Sequence, residues 1–399
     1  MSVVALIVAI LALVVAGLAL FVASAAHTRA TQLETRLSAA SRDSSKAKDG
    51  TPSKKPWVIV NPARVDDIAG FEETVGECAF EAGWEKPHFV QTQLDVSAAV
   101  QAREAVEGGA GVVLVAGGDG TVRAVAAGLA HTGVPMAILP AGTGNLMARN
   151  MEVPLDSLQE AASIAFTGRT HNVDLGWLRT EHHPTAVTEP VKNPDVPRHD
   201  SDVPTAEGEV LAAFIEDGPR PRKDEYAFLV MAGVGFDADV MATTKSELKQ
   251  KIGWFAYVLS GLRHAAKPTM DVELKLGKHG LTKKVSATTV LFANCGVLTA
   301  NVVLLPDARP DDGWLDVARL DARMGPIGWL ELGWRLLLQG LGIRPKMASF
   351  TSDLDARRAR QAELRVQRPR YVEVDGDAIG MATQVWVRTD RAAVKIRAL

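Results

Sequence analysis

Short apolar runs alternate with amphipathic helical segments along residues 57–168. The runs are three to five residues long, end at polar or glycine-containing turns and read as buried strands at 57–60, 88–90, 112–116 and 136–139. Helical spacing of apolar positions occurs at 68–82, 96–107, from Thr121 onward and at 155–166. This alternation predicts an α/β domain over 57–168, with a parallel sheet and helices on both faces.

After Gly168 the pattern changes to short strands. Strand-like stretches occur at 171–179, 226–232, 270–276, 283–293, 314–320, 362–366, 371–374 and 384–389. They predict a β-rich second domain over 169–399, folded as a β-sandwich. Residues 181–225 are polar and rich in proline, which indicates an insertion. Two stretches, 245–266 and 327–341, have helical spacing instead. Either helix could contact a membrane, but core packing is the more frequent reason for such apolar stripes.

The amino terminus has a different character. Residues 3–26 carry no charge and are long enough to cross a bilayer as a helix. Residues 27–56 hold seven Lys or Arg and three acidic residues. We therefore expect a transmembrane anchor at 1–26 and a flexible basic tether at 27–56, with the folded domains on the cytoplasmic side of the cell membrane. A cleaved signal peptide ending near 23–25 is the alternative, which the absence of Lys or Arg before the apolar run disfavours.

Composition and charge exclude some classes of protein. A hydrophobic fraction of 47% and a charged fraction of 23% suit a globular protein with sizeable cores. The formal net charge of -3 gives no general nucleic-acid-binding surface, so no nucleic-acid partner is expected. The two cysteines, Cys78 and Cys295, lack the spacing of a zinc site or a disulfide framework, and we expect both to be buried.

Two glycine-rich turns follow the third and fourth predicted strands of the first domain. The first is Gly117-Gly118-Asp119-Gly120-Thr121, and the second is Pro140-Ala141-Gly142-Thr143-Gly144-Asn145. Glycine lets a backbone turn sharply and lets a ligand approach closely, and the free N–H groups at a helix start attract anions. The carboxyl ends of parallel strands meet at one edge of a sheet, so the two turns together predict a nucleotide site.

Two acidic turns stand in the second domain, at Asp311-Asp312-Gly313 and at Asp375-Gly376-Asp377. Taken alone, the first is typical of a type I turn and the second of a hairpin turn. Their occurrence together with the glycine turns favours a functional role for both turns instead.

In this order, the motifs resemble the diacylglycerol kinase catalytic family, the bacterial lipid kinases related to sphingosine kinases. Further matching motifs are Val173-Asp174-Leu175-Gly176, Pro306-Asp307-Ala308 and Gly233-Val234-Gly235-Phe236-Asp237-Ala238. The resemblance covers about residues 57–390. It implies an α/β nucleotide-binding domain of the NAD kinase/diacylglycerol kinase type and a β-sandwich domain, with ATP and Mg²⁺ in the cleft between them. It also implies transfer of the γ-phosphoryl group of ATP to a lipid hydroxyl.

The resemblance assigns roles to individual residues. Asp312, with the backbone carbonyls of Arg309 and Trp314, would hold Mg²⁺. The general base would be Asp377, with Asp375 as the alternative, and Asp119 is grouped with these catalytic carboxylates. The ATP site would be lined by Asn61, Thr92, Gly117, Gly118, Asp119, Gly120, Thr121, Gly142, Thr143, Gly144 and Asn145.

Three positions depart from the family pattern. The first motif, usually Asn-Pro-x-Ser-Gly, ends here in Arg64 and Val65, so the loop lacks its hydroxyl and its glycine. The residue after Asn145 is commonly Asp in the family and is Leu146 here. The last acid of the Asp-Gly-Glu motif is Asp377, which is shorter than Glu by one methylene group and so reaches less far.

The best-supported function is a membrane-tethered kinase that converts diacylglycerol to phosphatidic acid, with a membrane lipid and ATP as its partners. Another lipid alcohol, sphingoid or glycolipid, is the alternative acceptor. An NAD kinase-like enzyme and a non-catalytic lipid- or nucleotide-binding protein are the competing classes. The oligomeric state, monomer or homodimer, is left open by the sequence.

Overall fold

The computed structural model describes residues 54–93, 96–182, 225–236, 270–298, 303–322 and 352–399. Five predicted features lie wholly or mostly outside these residues. They are the anchor at 1–26, the tether at 27–56, the insertion at 181–225, and the two helical stretches at 245–266 and 327–341. In the described residues, no helix is long and apolar enough to cross a membrane.

The first domain is built on four parallel strands in the order β2-β1-β3-β4. The strands are β1 (Pro56–Val60), β2 (His88–Gln91), β3 (Val112–Gly117) and β4 (Met136–Pro140). Every residue of β3 is buried, so both faces of the sheet are covered at its centre. The predicted parallel α/β sheet is confirmed.

Five helices accompany this sheet, and three of them start at a side-chain cap. Asp67, Ser97 and Ser157 each accept a hydrogen bond from a backbone N–H in the first turn of their helix. The short helix from Leu146 has no counterpart in the sequence-based prediction. The helices are α1 (Ile68–Glu81), α2 (Ala98–Glu107), α3 (Asp119–Leu129), α4 (Leu146–Asn150) and α5 (Leu158–Thr167).

The second part of the described chain is rich in β-structure, as expected. Its strands are β5 (Arg169–His182), β6 (Glu225–Phe228), β7 (Met231–Phe236), β8 (Met270–Leu276), β9 (Lys283–Ala287), β10 (Thr289–Ala293), β11 (Leu315–Ala322), β12 (Ser352–Ala359), β13 (Gln361–Val374) and β14 (Asp377–Ala398). The sequence predicted several shorter strands where β13 and β14 run on, and it missed β12. Bulges such as the one between Arg365 and Arg370 break the alternation of polar and apolar positions that marks a continuous strand.

The last strand joins the two parts of the chain. The carboxyl-terminal end of β14 pairs in parallel with β4, where Ile396 lies opposite Met136. Earlier residues of β14 pair with β13 and with β5 in antiparallel fashion. The single sheet path therefore runs from the β-rich part into the parallel sheet, which fixes the acidic turn before β14 against the first domain.

Both cysteines are buried and free of disulfide bonds, as predicted. Cys78 lies on α1, and Cys295 follows β10. Burial raises the pKa of the Cys295 thiol well above its ordinary value, and the nearby carboxylates of Asp375 and Asp174 act in the same direction. Neither thiol has the exposure that a reactive cysteine needs.

Candidate active site at the two glycine turns

The first glycine turn joins β3 to α3 without any intervening loop. Gly118 is the N-cap of α3, with φ of -82° and ψ of 179°, and no side chain caps this helix start. A Cβ atom on Gly117 would lie 2.7 Å from the Cβ of Thr121, so this position requires glycine. The helix starts at Asp119, two residues before the predicted start, and its first N–H groups have no side-chain cap to accept their hydrogen bonds.

The second glycine turn is held in shape by the side chain of Asn145. Its Oδ1 accepts a hydrogen bond from the Gly142 N–H at 2.9 Å, and its Nδ2 donates to the Gly142 carbonyl at 2.7 Å. Asn145 itself has a left-handed backbone with φ of 46°. A Cβ on Gly142 would lie 2.7 Å from the Cα of Gly118, so the structure brings the two turns into direct contact.

Asp119 links the same two turns through its carboxylate. Its Oδ1 accepts a hydrogen bond from the Leu146 N–H at 2.6 Å. The contact uses the backbone of Leu146, whose side chain is buried. Burial raises the pKa of the Asp119 carboxyl to about 6, and the hydrogen bond from Leu146 opposes this rise.

Replacing Asp119 by asparagine should stabilise the protein near neutral pH. The folded-state pKa of about 6 lies above the ordinary value of 3.8, so the bound proton favours the folded chain at low pH, and this contribution is lost as the pH rises through 6. Relative to wild type, D119N should gain nothing near pH 4 and at most about 3 kcal/mol near pH 7.5 in unfolding free energy. Urea unfolding at several pH values measures this gain, and a pH-independent difference would contradict it.

Asn61 and Thr92 lie at the carboxyl ends of β1 and β2, on the same edge of the sheet as the glycine turns. The Asn61 N–H donates to the Ala116 carbonyl at 2.8 Å, and the Thr92 N–H donates to the Val60 carbonyl at 2.8 Å. The Asn61 Oδ1 caps a short 3₁₀ helix at Pro62–Arg64 by accepting from a backbone N–H. The structure therefore brings the predicted nucleotide-site residues to one edge of one sheet.

Arg123 connects the first glycine turn to the acidic turn at 375–377. Its Nη2 lies 3.1 Å from Asp377 Oδ2, and its Nη1 donates to the Val374 carbonyl at 2.9 Å. The Arg123 side chain is 5% exposed, whereas that of Asp377 is 51% exposed. A Cβ on Gly120 would lie 3.2 Å from Asp377 Oδ2, so this carboxylate sits beside the start of α3.

Sequence reasoning missed Arg123. One signal was present, since a cation in the second turn of a helix opposes the helix dipole and a basic residue amid apolar ones needs a partner. The partner could not be named, because Asp377 lies 254 residues further along the chain.

Asp375 is occupied by backbone hydrogen bonds. It is 7% exposed, and its carboxylate accepts from the N–H groups of Leu229, Val230 and Met231 at 2.9–3.0 Å. Burial raises the pKa of Asp375, while the Arg123 cation and these N–H groups oppose the rise. Its backbone φ of 47° is left-handed, as a tight turn before Gly376 requires. The two acids of the turn thus face different surroundings.

The predicted metal loop is folded around Asp174. The carboxylate of Asp174 accepts from the Gly313 N–H at 2.5 Å and from the Ala392 N–H at 2.7 Å. Gly313 has a φ of 77°, a conformation that favours glycine. This arrangement ties the loop that carries Asp312 to β5 and to β14.

Asp312 has the chemistry of a ligand for a hard cation. Its Oδ1 accepts from the Trp314 N–H at 3.0 Å, and its buried Oδ2 makes no hydrogen bond but lies 3.3 Å from the guanidinium group of Arg358. The exposed side chain of Arg309 lies 3.8 Å from Asp311. In the described ranges no three His, Cys, Asp or Glu side chains cluster as a metal site, so a cation here would need backbone carbonyls besides Asp312.

Comparison with known families matches two stretches of the chain. Residues 55–178 match the diacylglycerol kinase catalytic domain, and residues 230–325 match the YegS C-terminal NAD kinase beta sandwich-like domain. The chain is therefore similar to the diacylglycerol kinase catalytic family over residues 55–178, and to the sandwich-like domain of YegS over residues 230–325. The first matched stretch contains both glycine turns and Arg123, and the second contains the loop of Asp312. The family resemblance inferred from the motifs is confirmed.

Similar proteins include two whose names fit this family. A "Diacylglycerol kinase" of Staphylococcus carnosus is 24% identical over 65% of this chain and 71% of its own length. A "Probable lipid kinase YegS-like" of Pseudomonas putida is 28% identical over 60% of this chain and 64% of its own length. An uncharacterized Synechocystis protein is 26% identical over 70% of this chain, which spans only 53% of that relative.

The fold agrees with a solved structure as well. A crystal structure of a putative diacylglycerol kinase from Bacillus anthracis superposes with a TM-score of 0.65 and 18% identity, over 89% of this chain and 98% of that one. The α/β domain with a β-rich second domain is therefore a known arrangement.

Proposed function

We propose that this protein is an ATP-dependent lipid kinase that transfers the γ-phosphoryl group of ATP to a lipid hydroxyl, with diacylglycerol as the acceptor. The observation that carries the proposal is the contact of Arg123 with Asp377, 3.1 Å apart. It holds an accessible carboxylate beside a glycine turn that is suited to phosphate. Phosphoryl transfer needs this combination of a phosphate cradle and a proton acceptor.

The glycine turns would bind the phosphates of ATP. Backbone N–H groups at the start of α3 supply donors, and a Cβ on Gly118 would meet no protein atom within 4 Å, so the approach to this residue is open. Bound Mg²⁺ supplies positive charge that offsets the charge of the phosphate oxygens. Asp312 and the backbone carbonyls of Arg309 and Trp314 are the groups we assign to hold it.

Asp377 would accept the proton of the lipid hydroxyl as that oxygen attacks the γ-phosphorus, while the bond from the γ-phosphorus to the β,γ-bridging oxygen breaks and ADP leaves. Its side chain is 51% exposed, and Arg123 fixes the direction of one carboxylate oxygen. Asp375 would position the turn, because its lone pairs are used by three backbone N–H groups. The shorter aspartate can replace the family's glutamate because its turn stands close to the glycine turn, with Asp377 Oδ2 3.2 Å from the Cβ position of Gly120.

The acceptor is proposed from the amino-terminal sequence. The uncharged run at 3–26 would anchor the enzyme in the cell membrane, where diacylglycerol resides, and would raise the local substrate concentration. A sphingoid or glycolipid alcohol would meet the enzyme in the same way. A soluble acceptor such as NAD would gain nothing from an anchor.

A lipid panel tests the proposal. The purified full chain is incubated with γ-labelled ATP, Mg²⁺ and mixed micelles that contain diacylglycerol, sphingosine, ceramide or a glycolipid, with NAD as the soluble comparison. We expect label in phosphatidic acid. Label in NAD would identify an NAD kinase, and label in no acceptor would overturn the proposed activity.

Alanine substitutions at Gly118 and Gly142 distinguish an effect on ATP binding from an effect on folding. Gly118→Ala should leave the melting temperature within about 2 °C of wild type, because its Cβ meets no protein atom, but should raise the KM for ATP. Gly142→Ala should lower the melting temperature, because its Cβ would lie 2.7 Å from the Cα of Gly118. Thermal unfolding and ATP titration measure both effects, and an unchanged KM in G118A would contradict the assigned ATP site.

A further inference from the structure

Arg358 places a cation inside the loop assigned to Mg²⁺. It lies on β12 directly opposite Asp316 of β11 in the antiparallel register. Its Nη1 is 3.3 Å from Asp312 Oδ2 and its Nε is 3.4 Å from Asp316 Oδ1. Its Nη2 donates to the backbone carbonyl of Asp307. One guanidinium group therefore contacts three oxygens of this loop and of the strand that follows it.

Asp316 is buried, whereas the side chain of Arg358 that pairs with it is partly exposed. Asp316 is 5% exposed, and one of its oxygens is buried without a hydrogen-bond partner. The Arg358 side chain is 43% exposed, so it can leave the loop for solvent. Without a cation between them, the carboxylates of Asp312 and Asp316 would repel each other. The guanidinium group offsets that repulsion.

A divalent cation bound by Asp312 would meet the same carboxylate oxygen that now faces Arg358. Two positive groups at one carboxylate oxygen repel each other strongly in partly buried surroundings. We propose that Arg358 acts as an internal cation that competes with the divalent metal for Asp312 and so lowers the affinity of this loop for it. The inference rests on the cation site of the proposed function, but it does not depend on which acceptor is phosphorylated.

Direct metal binding tests this competition. Mn²⁺ is titrated into the full-length protein without nucleotide, and free Mn²⁺ is followed by electron paramagnetic resonance. Arg358→Gln should lower the Kd for Mn²⁺ by about tenfold, because it removes one positive charge from the loop. Arg358→Lys keeps the positive charge, so its Kd for Mn²⁺ should stay closer to that of wild type. Arg365→Gln, which loses the ion pair with Glu363, is the matched control and should not change the Kd.

Two results would overturn the inference. One is an unchanged or higher Kd in R358Q, and the other is Mn²⁺ binding that persists in Asp312→Asn with wild-type affinity. If R358Q is partly unfolded, metal affinity is compared through the increase in melting temperature on addition of Mg²⁺. This increase should be larger in R358Q than in wild type. Failure of the lipid panel would leave these binding results standing, so the two proposals fail separately.

Discussion

Replacing Asp377 by asparagine should lower the rate of phosphoryl transfer by about 10²- to 10⁴-fold, the usual contribution of a positioned general base. The amide cannot accept the hydroxyl proton at neutral pH, although it has nearly the same shape as the carboxylate. The Asp377 side chain is half exposed, and the asparagine oxygen can still accept a hydrogen bond from Arg123, which also donates to the Val374 carbonyl, so the substitution should cost little stability. Steady-state kinetics with the lipid acceptor, together with thermal unfolding, measure both quantities.

The matched variant for this experiment is Asp377→Glu. It restores the acid that the family usually carries and keeps the negative charge beside Arg123. We expect it to retain activity within about tenfold of wild type, since the proton acceptor is still present. If D377N kept more than a tenth of the wild-type kcat, Asp377 would not be the proton acceptor.

Replacing Asp375 by asparagine should instead destabilise the fold. One carboxylate oxygen would become an NH₂ group that faces a backbone N–H of the 229–231 turn, which leaves a buried donor without an acceptor. Mutations of this kind cost about 2–4 kcal/mol. Urea unfolding should show a lower midpoint for D375N than for wild type. D377N, two residues away and exposed, is its control.

The opposite outcome would reverse the roles of the two acids. If D375N unfolded at the wild-type urea concentration and lost only its catalytic rate, Asp375 would be the group that takes part in the chemistry. The same comparison distinguishes a positioning residue from a proton acceptor, because only the former moves the unfolding midpoint.

The nucleotide side of the site could be predicted from sequence because its signals are local. Gly117 and Gly118 directly follow an apolar strand, and Gly142 and Asn145 follow the next one. A parallel sheet brings such neighbouring turns to the same edge, so no long-range knowledge was required. The contact between Gly118 and Gly142 confirms that expectation.

For the acidic turn at 375–377, the candidate residues could be predicted from sequence, but their contacts could not. The sequence offered Asp377 as the base with Asp375 as its alternative, and the hydrogen bonds from the backbone of Leu229–Met231 to Asp375 distinguish the two. Strand pairing across more than a hundred residues decides that contact, and no local pattern encodes it. The link from Arg123 to Asp377 escaped sequence analysis for the same reason.

The departure at Leu146 has a structural explanation. The family commonly has an acid at this position, so the sequence alone marked Leu146 as a departure from the family pattern. In the structure the backbone N–H of Leu146 donates to Asp119, and any residue except proline supplies that group. The buried side chain adds to the core instead, so this departure does not disturb the contact between the turns.

We propose that an accessible carboxylate beside the glycine turns, that of Asp377, accepts a lipid hydroxyl proton during phosphoryl transfer. The most direct measurement is the transfer of label from γ-labelled ATP to diacylglycerol in mixed micelles, with wild type and D377N assayed side by side. We predict labelled phosphatidic acid with wild type and at least about a hundredfold less with D377N. Equal labelling by the two proteins would contradict the claim.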